Sequence, residues 1–311
     1  MVPLYTARHV HDAVPPGRAV DAVRDAFVAF ARGEWTMPPK VYVAAYPAGD
    51  FRAMPALGSG HALLKWVTSF PGNPAHGLPT VMGVVLVSSA EDGRLLAVLD
   101  AGAVTAIRTG AAAVLAAETL GRPDAGSTAV VGAGVNGEAC VRTFAARGRE
   151  PLVWDVDEER ARTVAERAGG RVAPSREAAL AADLLVTVTP GREILLPEGS
   201  LRPGQHVSLM GADGPGKAEI AVAELARVHV FCDDWEQASH GGELAPAVSA
   251  GRVTRDDVAQ LGDVLNGAAE GRSSPADITI FDSTGLALQD LAVALVALEH
   301  VDELDLGTVD L

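Results

Sequence analysis

Three observations predict an α/β protein built from a doubly wound parallel sheet and a second, strand-rich α+β domain. Short apolar runs alternate with helical stretches beyond residue 127, a glycine-rich turn spans 132–137, and the first hundred residues carry β-branched and aromatic runs broken by Pro and Gly. With 311 residues the chain has room for about two domains at roughly 150 residues each. Hydrophobic residues at 48% and charged residues at 21% sit near globular averages, so disordered and fibrous folds are excluded.

Taken in order, Gly17 to Arg32 places Val20, Val23, Phe27 and Phe30 at helical spacing between charges, the pattern of an amphipathic helix. The runs Val41–Val43, Leu63–Val67 and Val81–Val87 then read as strands. Asp92-Gly93 between apolar runs predicts a hairpin, because the pair supplies the positive φ angles of a tight turn. Thr105 to Leu120 is Ala-rich and helical, and Gly121 to Ser127 is a turn-rich linker. Beyond it, parallel strands are expected at Ser127–Val131, Pro151–Asp155, Leu184–Thr187, His206–Leu209 and Val228–Cys232, with helices between most of them. A strand-like run at Ile278–Phe281 and an Ala- and Leu-rich helix over Leu286–His300 close the chain.

The run Val130-Val131-Gly132-Ala133-Gly134-Val135-Asn136-Gly137 leads from a strand through G-x-G-x-x-G into a helix. Gly132 makes the sharp turn, Gly134 admits a pyrophosphate to the backbone, and Gly137 lets helix pack on strand, the fingerprint of a Rossmann sheet. Phosphates then meet the unpaired amides and dipole of the helix N-terminus. About 20 residues on, Asp155 ends the second strand, where a carboxylate accepts hydrogen bonds from the adenine ribose. The expected cofactor is NAD, since Asp155 would repel a 2′-phosphate, while Arg160 and Arg162 in the following helix keep NADP open.

The formal net charge of −15 makes nucleic acid and anionic membrane poor partners, so an anionic ligand must meet locally placed cations. Cys140 and Cys232 are too few for a disulfide framework and lack zinc-ligand spacing, so no metal site and a reducing compartment are expected. The N-terminus lacks export-signal features, and the apolar runs Gly83–Val87 and Leu291–Leu298 fall short of the roughly 20 residues that span a bilayer. A cytoplasmic protein without a membrane segment is expected.

Ordered blocks extend along the whole chain: Met37-Pro38-Pro39-Lys40-Val41-Tyr42, Phe51-Arg52-Ala53-Met54-Pro55-Ala56, Leu64-Lys65-Trp66-Val67, Gly77-Leu78-Pro79-Thr80-Val81-Met82, Ile107-Arg108-Thr109-Gly110-Ala111, Gly211 to Lys217, and Phe281-Asp282-Ser283-Thr284-Gly285. Together they resemble the ornithine cyclodeaminase/μ-crystallin family. The Arg-Ala-Met-Pro-Ala, Leu-Lys-Trp-Val and Asp233 to Glu243 segments look most like its archaeal-type alanine dehydrogenases. The resemblance implies a substrate-binding and dimerisation domain from residues 1–120 with 286–311, a Rossmann domain over 121–285, a homodimer, and substrate bound in a cleft facing the nicotinamide.

Interconverting an amino acid and a 2-oxo acid needs cations for the carboxylate, a proton shuttle and a hydride partner. Lys40 and Arg52, on neighbouring strands, are expected to bind the carboxylate, Arg52 in a bidentate grip, although solvated surface charge is the ordinary fate of such residues. Lys65 lies among apolar neighbours and near other cations, which eases loss of its proton and suits it to acid/base work. The resemblance makes this lysine catalytic and Asp213, in the loop after the fourth parallel strand, the second acid/base residue. Arg108 and Thr109 are expected at the cofactor pyrophosphate, and Ser283 and Thr284 at the nicotinamide amide. Asp233, Asp234, Glu236, His240 and Glu243 lack recognised ligand spacing and are expected on a solvated acidic face.

These expectations make the protein an NAD-dependent dehydrogenase of a small L-amino acid, of the alanine/pyruvate type. Ornithine cyclodeamination is one rival; those enzymes carry a glutamate where this chain has Arg52. Reduction of a cyclic ketimine or imine is another, and a non-catalytic NAD(P)H-dependent small-molecule binding protein is a third.

Overall fold

In the computed structural model, which describes residues 1–191, 193–212, 214 and 216–311, the chain divides within one helix into two units. They are Met1–Arg108 with Leu286–Leu311, and Thr109–Gly285.

The first unit carries β1 (Val2–Tyr5), β2 (Val41–Ala45), β3 (Gly49–Gly58), β4 (His61–Ser69), β5 (Val81–Ser89) and β6 (Leu95–Asp100). A C-terminal strand, Gly307–Val309, completes a seven-stranded sheet in the order C-terminal strand-β1-β6-β5-β4-β3-β2. From β2 to β6 it is an antiparallel meander, while β1 runs parallel to β6. The expected Asp92-Gly93 turn closes the β5–β6 hairpin, with Gly93 at φ +76° donating its N–H to the Ser89 carbonyl at 3.0 Å.

Period-two alternation decides which side chains this sheet buries. Asp50, Arg52, Met54 and Ala56 on β3, Leu63, Lys65 and Val67 on β4, and Val85 and Val87 on β5 are buried. Helix α1 (Ala7–Ala13) precedes α2 (Pro16–Ala31), and α2 buries Val20, Val23 and Phe27. Each large apolar side chain so buried stabilises by about 1.5–3 kcal/mol. The long C-terminal helix, Ala287–Leu298, packs against α2, β3, β4 and β5 and is buried nearly all round, Gln289 and Asp290 included. A core helix tolerates such polar groups only with partners at hand.

Helix α3 (Ala101–Leu120) begins where the Asp100 carboxylate accepts the Ala103 N–H at 2.7 Å. By length and composition it could cross a membrane, against the expectation that every apolar stretch is too short, but 78% of its apolar window is buried inside the protein. Arg108 and Glu118 break the apolar run in the sequence and hide the helix's overall character.

The second unit holds β7 (Thr128–Val131), β8 (Leu152–Trp154), β9 (Arg171–Val172), β10 (Leu184–Thr187), β11 (His206–Leu209), β12 (His229–Cys232), β13 (Val258–Gln260) and β14 (Thr279–Asp282). Every pairing is parallel, in the order β13-β12-β14-β11-β10-β7-β8-β9. Strands β7, β10, β11 and β14 are buried along their whole length, so both faces are largely apolar and the polar residues they carry, such as His206, Ser208 and Thr279, are hydrogen-bonded inside. The edge strands β9 and β13, of 2 and 3 residues, are too short to leave a sequence pattern. Helix α4 (Val135–Ala146) follows β7, and α5 (Glu158–Ala168) follows β8, capped by the Asp157 carboxylate on the Arg160 N–H. Fold class is therefore as expected: one unit holds a doubly wound parallel sheet and the other a mixed, largely antiparallel one.

Candidate active site

The glycine turn is shaped as its sequence demands. Gly132 sits at φ +106°, and a Cβ there would lie 2.7 Å from the Val188 carbonyl oxygen. A Cβ on Gly137 would collide with the Gly132 carbonyl oxygen, so the first turn of α4 rests directly on the strand end. Gly134, the N-cap residue of α4, has nothing within 4 Å of its Cβ position, leaving an open backbone approach to the first-turn amides. Ala133 is buried, Val135 is exposed and Asn136 half-buried.

Asp155, one residue past β8, places Oδ2 2.7 Å from the Ala133 N–H and Oδ1 2.9 Å from the Asp157 N–H. Its carboxylate thus touches the turn itself. Arg160 Nη1 lies 3.7 Å from Asp155 and its Nη2 donates to Asp157, while Arg162 pairs with Glu159. Both arginines that kept NADP open are engaged by carboxylates.

Because all strands are parallel, β14 ends at the same sheet edge as β7. There Asp233 accepts the Ser283 hydroxyl at 3.1 Å, the Thr284 N–H at 2.7 Å and hydroxyl at 3.2 Å, and the Gly285 N–H at 2.9 Å. Asp282 accepts the Leu244 N–H at 3.0 Å, and burial, followed by the nearby Asp233 charge, pushes its carboxyl up to about 8. Burial and the Glu219 charge push Glu243 up to about 9, although it accepts the Glu219 and Ile220 N–H groups. The expected solvated acidic face is thus corrected in part: Glu236 and His240 are exposed and Asp234 caps a helix, but Asp233 and Glu243 are buried supports of the strand ends. His240 lies in that helix. Among the described residues no group of three or more His, Cys, Asp or Glu is arranged to hold a metal ion.

In the first unit, Lys65 is 1% exposed, and its Nζ donates to Asp290 Oδ1 at 2.9 Å. Arg108 Nε lies 3.5 Å from the same oxygen, and Arg108 Nη1 donates to Gln289 Oε1 at 3.4 Å. Arg52 donates through Nε to Asp50 Oδ1 at 2.6 Å and lies 5.3 Å from the centre of the Tyr42 ring, its cross-strand neighbour. Burial lowers the Lys65 ammonium to about 8; Asp290 opposes the fall, and Arg108 and Arg52 add to it. Among the described residues, ion pairs join Arg52 to Asp50 and both Lys65 and Arg108 to Asp290, all in a buried or nearly buried setting. Removing one partner of such a pair costs about 3–5 kcal/mol.

The structure therefore brings together Lys65, Arg52 and Arg108. Lys40 is half-buried and immediately precedes β2 rather than lying within it. Thr109 is buried, the residue after Arg108 on α3. Asp213 lies outside the described residues. Sequence reasoning missed Asp50, Gln289, Asp290 and the support from Asp233. Asp50 was recoverable, because i and i+2 on a strand share a face. A lone Asp in an apolar helix signals a buried partner, though not which one.

The sequence model of the ornithine cyclodeaminase/mu-crystallin family matches residues 4–304. Alanine dehydrogenase of Archaeoglobus fulgidus is 42% identical over 319 aligned positions, covering 98% of this chain and 97% of that protein. A solved archaeal alanine dehydrogenase dimer with bound NAD superposes with a TM-score of 0.93 at 41% identity, covering 99% of this chain and 98% of that one. Thermococcus litoralis Δ1-pyrroline-2-carboxylate reductase, solved with NADH and L-proline, superposes with a TM-score of 0.92 at 25% identity over 99% and 100% of the two chains. With its family model matched nearly end to end, the chain belongs to the ornithine cyclodeaminase/mu-crystallin family.

Proposed function

We propose that this protein is an NAD-dependent dehydrogenase that interconverts a small, neutral L-amino acid, alanine being the type, with its 2-oxo acid and ammonia. The observation that carries the reading is Lys65: a buried amine held 2.9 Å from the Asp290 carboxylate, with Arg108 3.5 Å from the same oxygen and burial lowering the amine to about 8. Cations gathered there suit an α-carboxylate, and a lysine near neutrality both accepts and returns a proton.

The residues at the glycine turn fit a dinucleotide: an open approach at Gly134, first-turn amides of α4 for the pyrophosphate and the Asp155 carboxylate for the ribose. Ala133, Val135 and Asn136 line that turn, and Arg108 and Thr109 are assigned to the pyrophosphate, with Ser283 and Thr284 at the carboxamide end. When bound, the nicotinamide accepts or returns the α-hydrogen as hydride.

In the oxidative direction neutral Lys65 takes a proton from the substrate ammonium and passes it to solvent. Once the α-hydrogen has left as hydride, the again neutral amine takes a proton from the water that adds to the imine carbon, and the carbinolamine C–N bond breaks to release ammonia and the 2-oxo acid. Protonated Lys65 reverses both steps. Arg52, with Lys40, holds the carboxylate, and Asp213 is assigned the second proton shuttle. Ornithine cyclodeamination is disfavoured because those enzymes carry a glutamate where this chain has the cation Arg52, which would repel a second substrate ammonium. A pure binding role leaves the buried Lys65–Asp290 pair without purpose. Cys140 and Cys232 are buried and not joined in a disulfide, which supports a reducing, cytoplasmic setting.

The test follows NADH absorbance with pyruvate plus ammonium, with Δ1-pyrroline-2-carboxylate, and in reverse with NAD and L-amino acids. Turnover of pyruvate or L-alanine is expected; activity confined to the cyclic imine would replace this reading with imine reduction. Lys65→Ala is expected to keep NADH binding and lose roughly 10²–10⁴-fold in kcat. Unchanged kcat would remove Lys65 from the mechanism.

A further inference from the structure

We propose that Asp290 is a positioning residue: from the C-terminal helix it holds the Lys65 amine in place and sets the proton affinity with which that amine works. The inference rests on the reading of Lys65 as proton shuttle. Three features of the geometry support it. Asp290 is fully buried in a helix that is otherwise almost wholly apolar, a costly place for a carboxylate without a purpose. Its Oδ1 receives Lys65 Nζ at 2.9 Å and faces Arg108 Nε at 3.5 Å, so one oxygen lies between both cations. Asp290 Oδ2, Arg108 Nε and Gln289 Nε2 are buried and have no hydrogen-bond partner, so the cluster has polar capacity beyond what holding Lys65 consumes.

The groups that face Lys65 come from three elements: Asp290 from the C-terminal helix, Arg108 from α3 and Arg52, paired with Asp50, from β3. Its cross-strand neighbours, Met54 and Val85, are apolar. Burial, Arg108 and Arg52 all drive the proton off Lys65; among the described residues Asp290 is the group that holds it on. Gln289, one residue earlier, accepts from Arg108 Nη1 and so steadies the cation that competes for Asp290.

The sign of the effect follows. With an uncharged isostere at 290, Lys65 releases its proton at lower pH. The rising limb of kcat/KM for amino acid oxidation, which needs the neutral amine, then moves to lower pH. Reductive amination, which needs the ammonium, weakens at neutral pH.

The experiment compares wild type, Asp290→Asn, Asp290→Glu and Lys65→Ala, with pH profiles of kcat/KM in both directions and NADH binding by fluorescence. Asp290→Asn is expected to bind NADH as wild type does and to shift the oxidative limb down by about one pH unit or more, a tenfold change in proton affinity. Asp290→Glu, which keeps the charge and moves it, is expected to restore the limb while lowering kcat. A wild-type profile in Asp290→Asn overturns the proposal, as does loss of NADH binding in both Asp290 variants. Should Asp290→Asn fail to fold, Asp290→Glu decides: a wild-type limb with reduced kcat supports the role, and a wild-type kcat overturns it. Full activity in Lys65→Ala would instead dismiss the underlying reading of Lys65, whatever the Asp290 variants do.

Discussion

Asp155 Oδ2 accepts the Ala133 N–H at 2.7 Å, tying the tip of β8 to the turn that follows β7. The carboxylate expected to read the adenine ribose therefore also braces the loop that receives the pyrophosphate, and Arg160, 3.7 Å away, waits on its charge.

Replacing Asp155 with Ala removes a charged acceptor worth about 1.5–3 kcal/mol per hydrogen bond and leaves Arg160 able to meet a 2′-phosphate. The expected result is a KM for NAD raised roughly tenfold or more with NADP discrimination narrowed. Steady-state kinetics with both cofactors check this, and an unchanged NAD to NADP ratio would count against Asp155 as the selecting group.

Two glycines of one turn separate fold from binding. Gly137→Ala forces a Cβ onto the Gly132 carbonyl oxygen and is expected to destabilise by about 1–3 kcal/mol. Gly134→Ala meets no protein atom within 4 Å, so cofactor-free melting stays as in wild type while NADH binding weakens. Thermal melts with and without NADH distinguish the two, and equal melting losses would contradict the assignment.

A pH effect on stability is expected from His206. It is buried between the Thr279 and Ser208 hydroxyls at 2.9 and 3.0 Å, and burial, then Arg272, lowers its pKa to about 3. As pH falls from about 6.5 toward about 3, the unfolded chain binds a proton that the native state refuses. Unfolding free energy therefore drops by about 1.4 kcal/mol per pH unit from this group. Asp282 and Glu243, raised to about 8 and about 9, act in the opposite sense as pH climbs above the ordinary carboxylate range. Comparing urea unfolding of wild type and His206→Asn at each pH cancels them; identical slopes in the two proteins would refute the assignment.

The seven-stranded sheet leaves its other face open and apolar. Val41, Val43, Leu64, Trp66 and Val84 are exposed there, with Phe51 stacked on Trp66 at 5.7 Å. An exposed apolar face of this kind is expected to serve as an interface, and self-association of the chain across it is the expected outcome. Trp66→Asp is expected to turn dimer into monomer in light scattering; a monomeric wild type, or a dimeric variant, would contradict this.

Sequence by itself determined the parallel sheet, its cofactor turn and the hairpin, because each depends on local grammar: glycines where a Cβ collides, apolar runs where both strand faces are buried, Asp-Gly where φ turns positive. It also put Lys65 on a strand among apolar neighbours. Which face of that strand is buried, and what meets the amine there, depends on side chains far apart in the chain. Asp290, 225 residues from Lys65, was legible only as an oddity in an apolar helix. Tertiary packing alone decided that this acid is the lysine's partner, that Asp233 is a buried support rather than surface charge, and that Asp50 balances Arg52. A buried charge is tolerated only beside its counter-charge, and periodicity carries no record of that pairing.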